Sequence, residues 1–129
     1  MALHTELKIY EVTYQLLRSI TEYTRSMHRD FKNSIGIPLR AECAILVLLI
    51  YRANSSFNKL PHLAELQERL KMVELTVRLC VDLRLVSPDQ QAHVIDLTGQ
   101  IGKQAKGWAN YSKSAPAVSS SRRSDLCAS

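Results

Sequence analysis

The sequence predicts an all-α protein, an antiparallel up-down-up-down bundle of four helices joined by short connections. Three observations lead there. Apolar residues recur at alternating spacings of three and four, most regularly at Leu63, Leu66, Leu70, Val73, Val77 and Cys80. Helix-breaking residues cluster at few places, in "NSIGIP" (33–38), "NSSFNKLP" (54–61) and "SP" (87–88). The chain of 129 residues has room for one core, and no internal repeat divides it.

The first helix is expected from about Leu3 to Arg29, with Ile9, Val12, Leu16, Ile20, Tyr23 and Met27 as its stripe. Tyr10, Tyr14 and Leu17 widen that stripe, as suits a helix touching two neighbours. "DFKNSIGIP" (30–38) is expected to turn the chain. The second helix, Ile37 to Ser56, holds "CAILVLLIYR" (43–52), which opens with nine consecutive apolar residues. That run is too short to cross a bilayer, which takes roughly 20 residues, yet it leaves no wet face. One side faces the chain's own helices; the side holding part of Ile45, Leu46, Leu48, Leu49 and Tyr51 is left uncovered and reads as a subunit contact. The expectation is a homo-oligomer with Ile45, Leu48, Leu49 and Tyr51 at its interface, the alternative being a monomer that buries this helix centrally.

The third helix begins at Pro61, which suits a first turn because its missing N–H would be unpaired there. "SPDQ" (87–90) is a capping box with Pro at the first helical position and an acid in the first turn, so the fourth helix starts at Pro88. Val94, Leu97, Ile101, Ala105 and Trp108 carry its stripe to about Tyr111. Gly99, Gly102 and Gly107 each cost about 1 kcal/mol relative to Ala inside a helix, a cost that close approach of a neighbour or partner would explain. The bundle therefore covers residues 1–111. Residues 112–129, with seven serines in eighteen positions and no apolar period, are expected to form a basic tail that is disordered when unbound.

Composition and motifs argue against catalysis. Apolar content of 46% with 22% charged residues is that of a soluble globular protein. Glu6 and Glu11 stand where a secretory signal would need a basic start and an apolar block, so a cytoplasmic location with no membrane contact is expected. Cys43 and Cys80 lie in apolar stripes and read as small buried hydrophobes; with Cys127 they lack disulfide or zinc spacing. His4, His28, His62 and His93 fall in separate elements. No phosphate loop, dinucleotide fingerprint, HExxH or Glu-x-x-His pair occurs, and no catalytic residue, metal or cofactor is expected.

Charge is more informative. The formal net charge is +5. On the first helix Arg18, Arg25 and Arg29 share a face with Glu11 and Glu22, which fits a salt-bridged surface as well as a nucleic-acid contact. The row Lys71, Glu74, Arg78, Asp82 of the third helix is compensated, whereas Lys103, Lys106, Asn110 and Lys113 of the fourth form a row without an acid. An antiparallel bundle brings this row to the same end as Lys8, Arg52 and Lys59, against Glu6, Glu11 and Glu65, a net basic rim that a phosphate backbone would bind in a salt-dependent way. Arg18, Arg40, Arg52, Lys59, Lys103 and Lys106 are the candidate contacts with nucleic acid or a partner. Trp108 and Tyr111 are the aromatics available for base stacking at that end, with core packing the better account of Trp108.

With "LKIYEVTYQLLRSI" in the first helix, "IGIPLRAECAILVLLIYRAN" in the second and "GKQAKGWANY" closing the fourth, the chain resembles a family of four-helix-bundle proteins. These include the accessory variability determinants of diversity-generating retroelements. The resemblance covers roughly residues 5–111: an aromatic-rich first helix, Arg40 opening the second, Arg52, Ala53 and Asn54 closing it, and the late Trp108. It implies a homopentameric barrel with a basic surface that binds nucleic acid and associates with the reverse transcriptase. In that role the protein would support mutagenic cDNA synthesis on the template-repeat RNA. The competing expectation is a four-helix adaptor that contacts protein alone.

Overall fold

The computed structural model describes residues 7–114. They form helices α1 (Lys8–Arg25), α2 (Arg29–Phe31), α3 (Ile37–Ser55), α4 (Leu60–Asp82) and α5 (Pro88–Lys113), and a π-helical turn over Lys32–Gly36 joins α2 to α3. Four of the helices are long, and no strand occurs among the described residues. Ser112 and Lys113, the first residues of the expected tail, continue α5, and the rest of that tail from Ala115 onward, Cys127 included, lies outside the described residues.

Each long helix packs against two others, in the closed order α1, α3, α4, α5 and back to α1. Ile9, Val12, Leu16 and Ile20 of α1 are buried, as are all six stripe residues of α4 and Val94, Leu97, Ile101 and Ala105 of α5. Amphipathic stripes at helical spacing thus meet along one core. Its three buried threonines are satisfied: Thr13 and Thr24 donate to the carbonyls of Ile9 and Ile20 one turn back, and Thr98 donates across to Glu74 Oε2 of α4 at 2.6 Å. Cys43 and Cys80 are buried, and burial pushes the Cys43 thiol up to about 12, with Glu42 adding to it.

The connection between the first two long helices departs from expectation. The first helix ends at Arg25, not near Arg29, and the chain bends at Ser26–His28. "DFKNSIGIP" is helical throughout, so one helical stretch of 27 residues runs from Arg29 to Ser55. Pro38 inside it has no N–H for the ladder. The π turn precedes it, with the Ile37 N–H donating to the Lys32 carbonyl, and this register shift accommodates the proline. Gly36 adopts ordinary right-handed helical angles; its value lies in size, since a Cβ there would sit 3.2 Å from Thr24 Cβ. Arg40 Nε donates to Thr24 Oγ1 at 2.7 Å and closes the same corner.

This stretch is long and apolar enough to cross a membrane, with a mean hydropathy of 1.7 in its most apolar window. Leu39, Cys43, Leu46, Leu49, Ile50 and Ala53 from it are buried against the other helices. Leu49 is 1% exposed and packs in the core of its own chain, which removes it from the expected interface. Outward on α3 are Ile37, Ala41, Ala44, Leu48 and Tyr51, with Ile45 half-buried beside α4.

Candidate nucleic-acid interface

Three contacts bring the start of α1, the α3–α4 connection and the end of α5 together. Leu7, Lys8 and Ile9 share a recess of about 300 Å³ with Gln104, Trp108 and Tyr111. The Lys59 ammonium lies 5.8 Å from the centre of the Trp108 ring, within cation–π range. The same ammonium donates to the carbonyls of Ala53, Asn54 and Ser56 at 2.8, 3.3 and 3.0 Å. Lys59 thereby serves as a cationic cap on the negative end of α3.

The six candidate basic residues therefore divide. Lys103 and Lys106 are exposed on α5, and Arg52 is exposed on the last turn of α3. With Lys8 and Lys113 they give this end a positive surface, and α5 carries no acid after Asp96. Lys59 belongs to the same end but is held by backbone carbonyls. Arg40 is half-buried near the α1–α3 corner, its Nε taken by Thr24. Arg18 is exposed at mid-helix on α1, 3.5 Å from Glu22, and this i,i+4 pair offsets its charge.

Of the three glycines of α5, Gly102 has an explanation within the chain. Gln67 Nε2 donates to its carbonyl at 2.8 Å, and a Cβ at position 102 would come within 3.3 Å of Gln67 Oε1. Gly99 and Gly107 are exposed, and a Cβ at either meets nothing within 4 Å. They leave bare helix backbone beside Lys103 and Lys106.

The histidines make local bonds. His28 Nδ1 accepts from the Asp30 N–H as a cap, His62 lies 3.0 Å from Ser56 Oγ, and His93 lies 3.2 Å from Ser19 Oγ. A second groove, between α3 and α4, is lined by Glu42, Glu65, Glu68 and Arg69 with Pro61, Ala64 and Met72. Arg69 bridges Glu42 and Glu65 at 2.9 and 2.8 Å, and these bonds raise its already high pKa. Sequence reading did not find this bridge, since only the α3–α4 register brings Glu42 to Arg69. A row of exposed apolar residues, Met72, Leu75 and Leu79 on α4 and Leu83 at its C-cap, also emerges.

The described residues thus define an all-helical protein with four long helices and one basic end. No protein-family model, curated protein or solved structure matches the chain.

Proposed function

We propose that this protein is a noncatalytic accessory factor of a diversity-generating retroelement, which binds template-repeat RNA and its cDNA and docks on the reverse transcriptase to support mutagenic reverse transcription. The observation that carries the nucleic-acid reading is the exposed, acid-free row Lys103, Lys106 and Lys113 at the positive end of the molecule. Phosphate neutralisation by such a row is independent of sequence and weakens steeply with salt. The retroelement assignment itself rests on the sequence resemblance. The pairs Gln67 with Gly102 and Glu74 with Thr98 support the antiparallel order of α4 and α5. The uncharged outward face of α3, from Ile37 to Tyr51, supports a homo-oligomer in which neighbouring copies cover that face; the number five rests on the resemblance alone.

Filter binding of labelled RNA at two salt concentrations tests the reading. Replacing Lys103, Lys106 and Lys113 together with Ala is expected to weaken binding and lower the salt slope by roughly 0.7 for each phosphate no longer neutralised. Equal affinity at both salt concentrations, or in the triple variant, would sink it. The apolar row of α4 favours a second reading, an adaptor that contacts protein alone. That reading predicts no RNA retention at either salt concentration.

A further inference from the structure

The recess between the start of α1 and the end of α5 has the composition of a site for one unpaired nucleobase. It is lined by two aromatic rings one helical turn apart, Trp108 and Tyr111, by the aliphatic side chains of Leu7 and Ile9, and by the polar groups of Gln104 and Lys8. Trp108 is half-buried, while Tyr111 is 75% exposed. Core packing does not account for a tyrosine that open. Flat aromatic surface of this kind stacks on any base. The Gln104 amide offers both a donor and an acceptor to a base edge. Lys8 is exposed at the recess, where it can meet a phosphate, whereas Lys106 and Lys113, two residues from Trp108 and Tyr111, project from the other side of α5. Glu11, one turn beyond Lys8, is the first acid of α1.

We infer that this recess takes a single unstacked nucleotide, so that the protein holds single-stranded RNA or cDNA in preference to duplex. The inference rests on the nucleic-acid reading above and adds the form of the ligand. The volume of about 300 Å³ suits one nucleotide, and a base paired inside a duplex cannot reach either ring.

Trp108 is the sole tryptophan of the chain, so its fluorescence reports directly on the site. The full-length protein is titrated with a short oligouridylate and with duplex RNA of equal length, following Trp108 emission and RNA anisotropy together. The single strand is expected to quench Trp108 and to bind more tightly than the duplex. Tyr111→Ala, at a surface position that leaves the fold intact by circular dichroism, is expected to weaken single-strand binding about tenfold and leave duplex binding unchanged. Gln104→Ala is expected to weaken the single strand to a lesser degree. Equal affinity for both RNAs with Trp108 unquenched overturns the recess site while the lysine row stands. Failure of both RNAs to bind overturns the row and the recess together. Emission insensitive to the single strand and to acrylamide means that another segment of the chain fills the recess, which also overturns the inference.

Discussion

Replacing Gly99 and Gly107 with alanine tests whether α5 gives up stability to keep its outer backbone bare. Both positions lie inside a helix of 26 residues, are exposed, and have nothing within 4 Å of an added Cβ. Alanine is favoured over glycine by about 0.8–1.0 kcal/mol at each such position. The two sites are eight residues apart, about 12 Å along the axis, so their effects should add to about 1.5–2 kcal/mol. For a domain of this size that corresponds to a rise of roughly 6–8 °C in Tm. The assay is urea and thermal unfolding followed by far-UV circular dichroism. Gly102→Ala is the internal control. It has the same propensity gain, but its Cβ would lie 3.3 Å from Gln67 Oε1, so the Gln67 amide that holds the Gly102 carbonyl must give by a few tenths of an ångström, and its expected net gain is smaller, near zero. A double variant no more stable than the parent, or a Gly102→Ala protein stabilised equally, would refute the reasoning. RNA affinity supplies the functional half of the test. If a strand lies against the bare backbone, the stabilised variant binds RNA more weakly; unchanged affinity removes any binding role for these glycines.

Arg84 holds a left-handed conformation (φ 62°) at the end of α4, where Leu85 N–H bonds the Cys80 carbonyl and Arg84 N–H bonds the Val81 carbonyl. This is the position glycine commonly fills, and Arg84→Gly should stabilise by about 0.5–1 kcal/mol in urea unfolding. If copies of the chain cover the outward face of α3, as proposed, Leu48→Asp should reduce the solution mass measured by light scattering to that of a monomer with helicity retained. Leu49→Asp, entering a position 1% exposed, should abolish the fold. A raised folded pKa at the Cys43 thiol means that the unfolded chain loses this proton first, near pH 8.5. Stability should therefore fall as pH rises from about 8.5 towards 12, by about 1.4 kcal/mol per pH unit from this thiol, and Cys43→Ala should flatten that slope in a pH series of urea titrations.

Where a helix carries one clean period its buried face was legible in the sequence, and where the period or the chemistry is mixed it was not. The stripe of α4 and the Ser87–Gln90 cap of α5 read correctly because each depends on local geometry alone, and both bonds of that capping box are present. The α1–α3 connection misled because Asn33, Ser34, Gly36 and Pro38 are breakers by composition. The corner the π turn makes with α1, where Thr24 packs on Gly36 and accepts from Arg40, is a tertiary contact that composition does not show. The nine-residue apolar run of α3 has no period to distinguish Leu48 from Leu49, so its inward side is chosen only by the neighbouring helices. Charge counting gave Lys59 and Arg40 the same weight as Lys103 and Lys106, because a backbone carbonyl or a threonine hydroxyl carries no formal charge to count against them. The recess was half legible in the same sense. Trp108 and Tyr111 stand one turn apart in the sequence, but Leu7, Lys8 and Ile9 reach them only across the α1–α5 contact. Trp108 does pack half-buried against the core, as its place in the α5 stripe suggests, and only the neighbour helix shows that it also lines a surface recess.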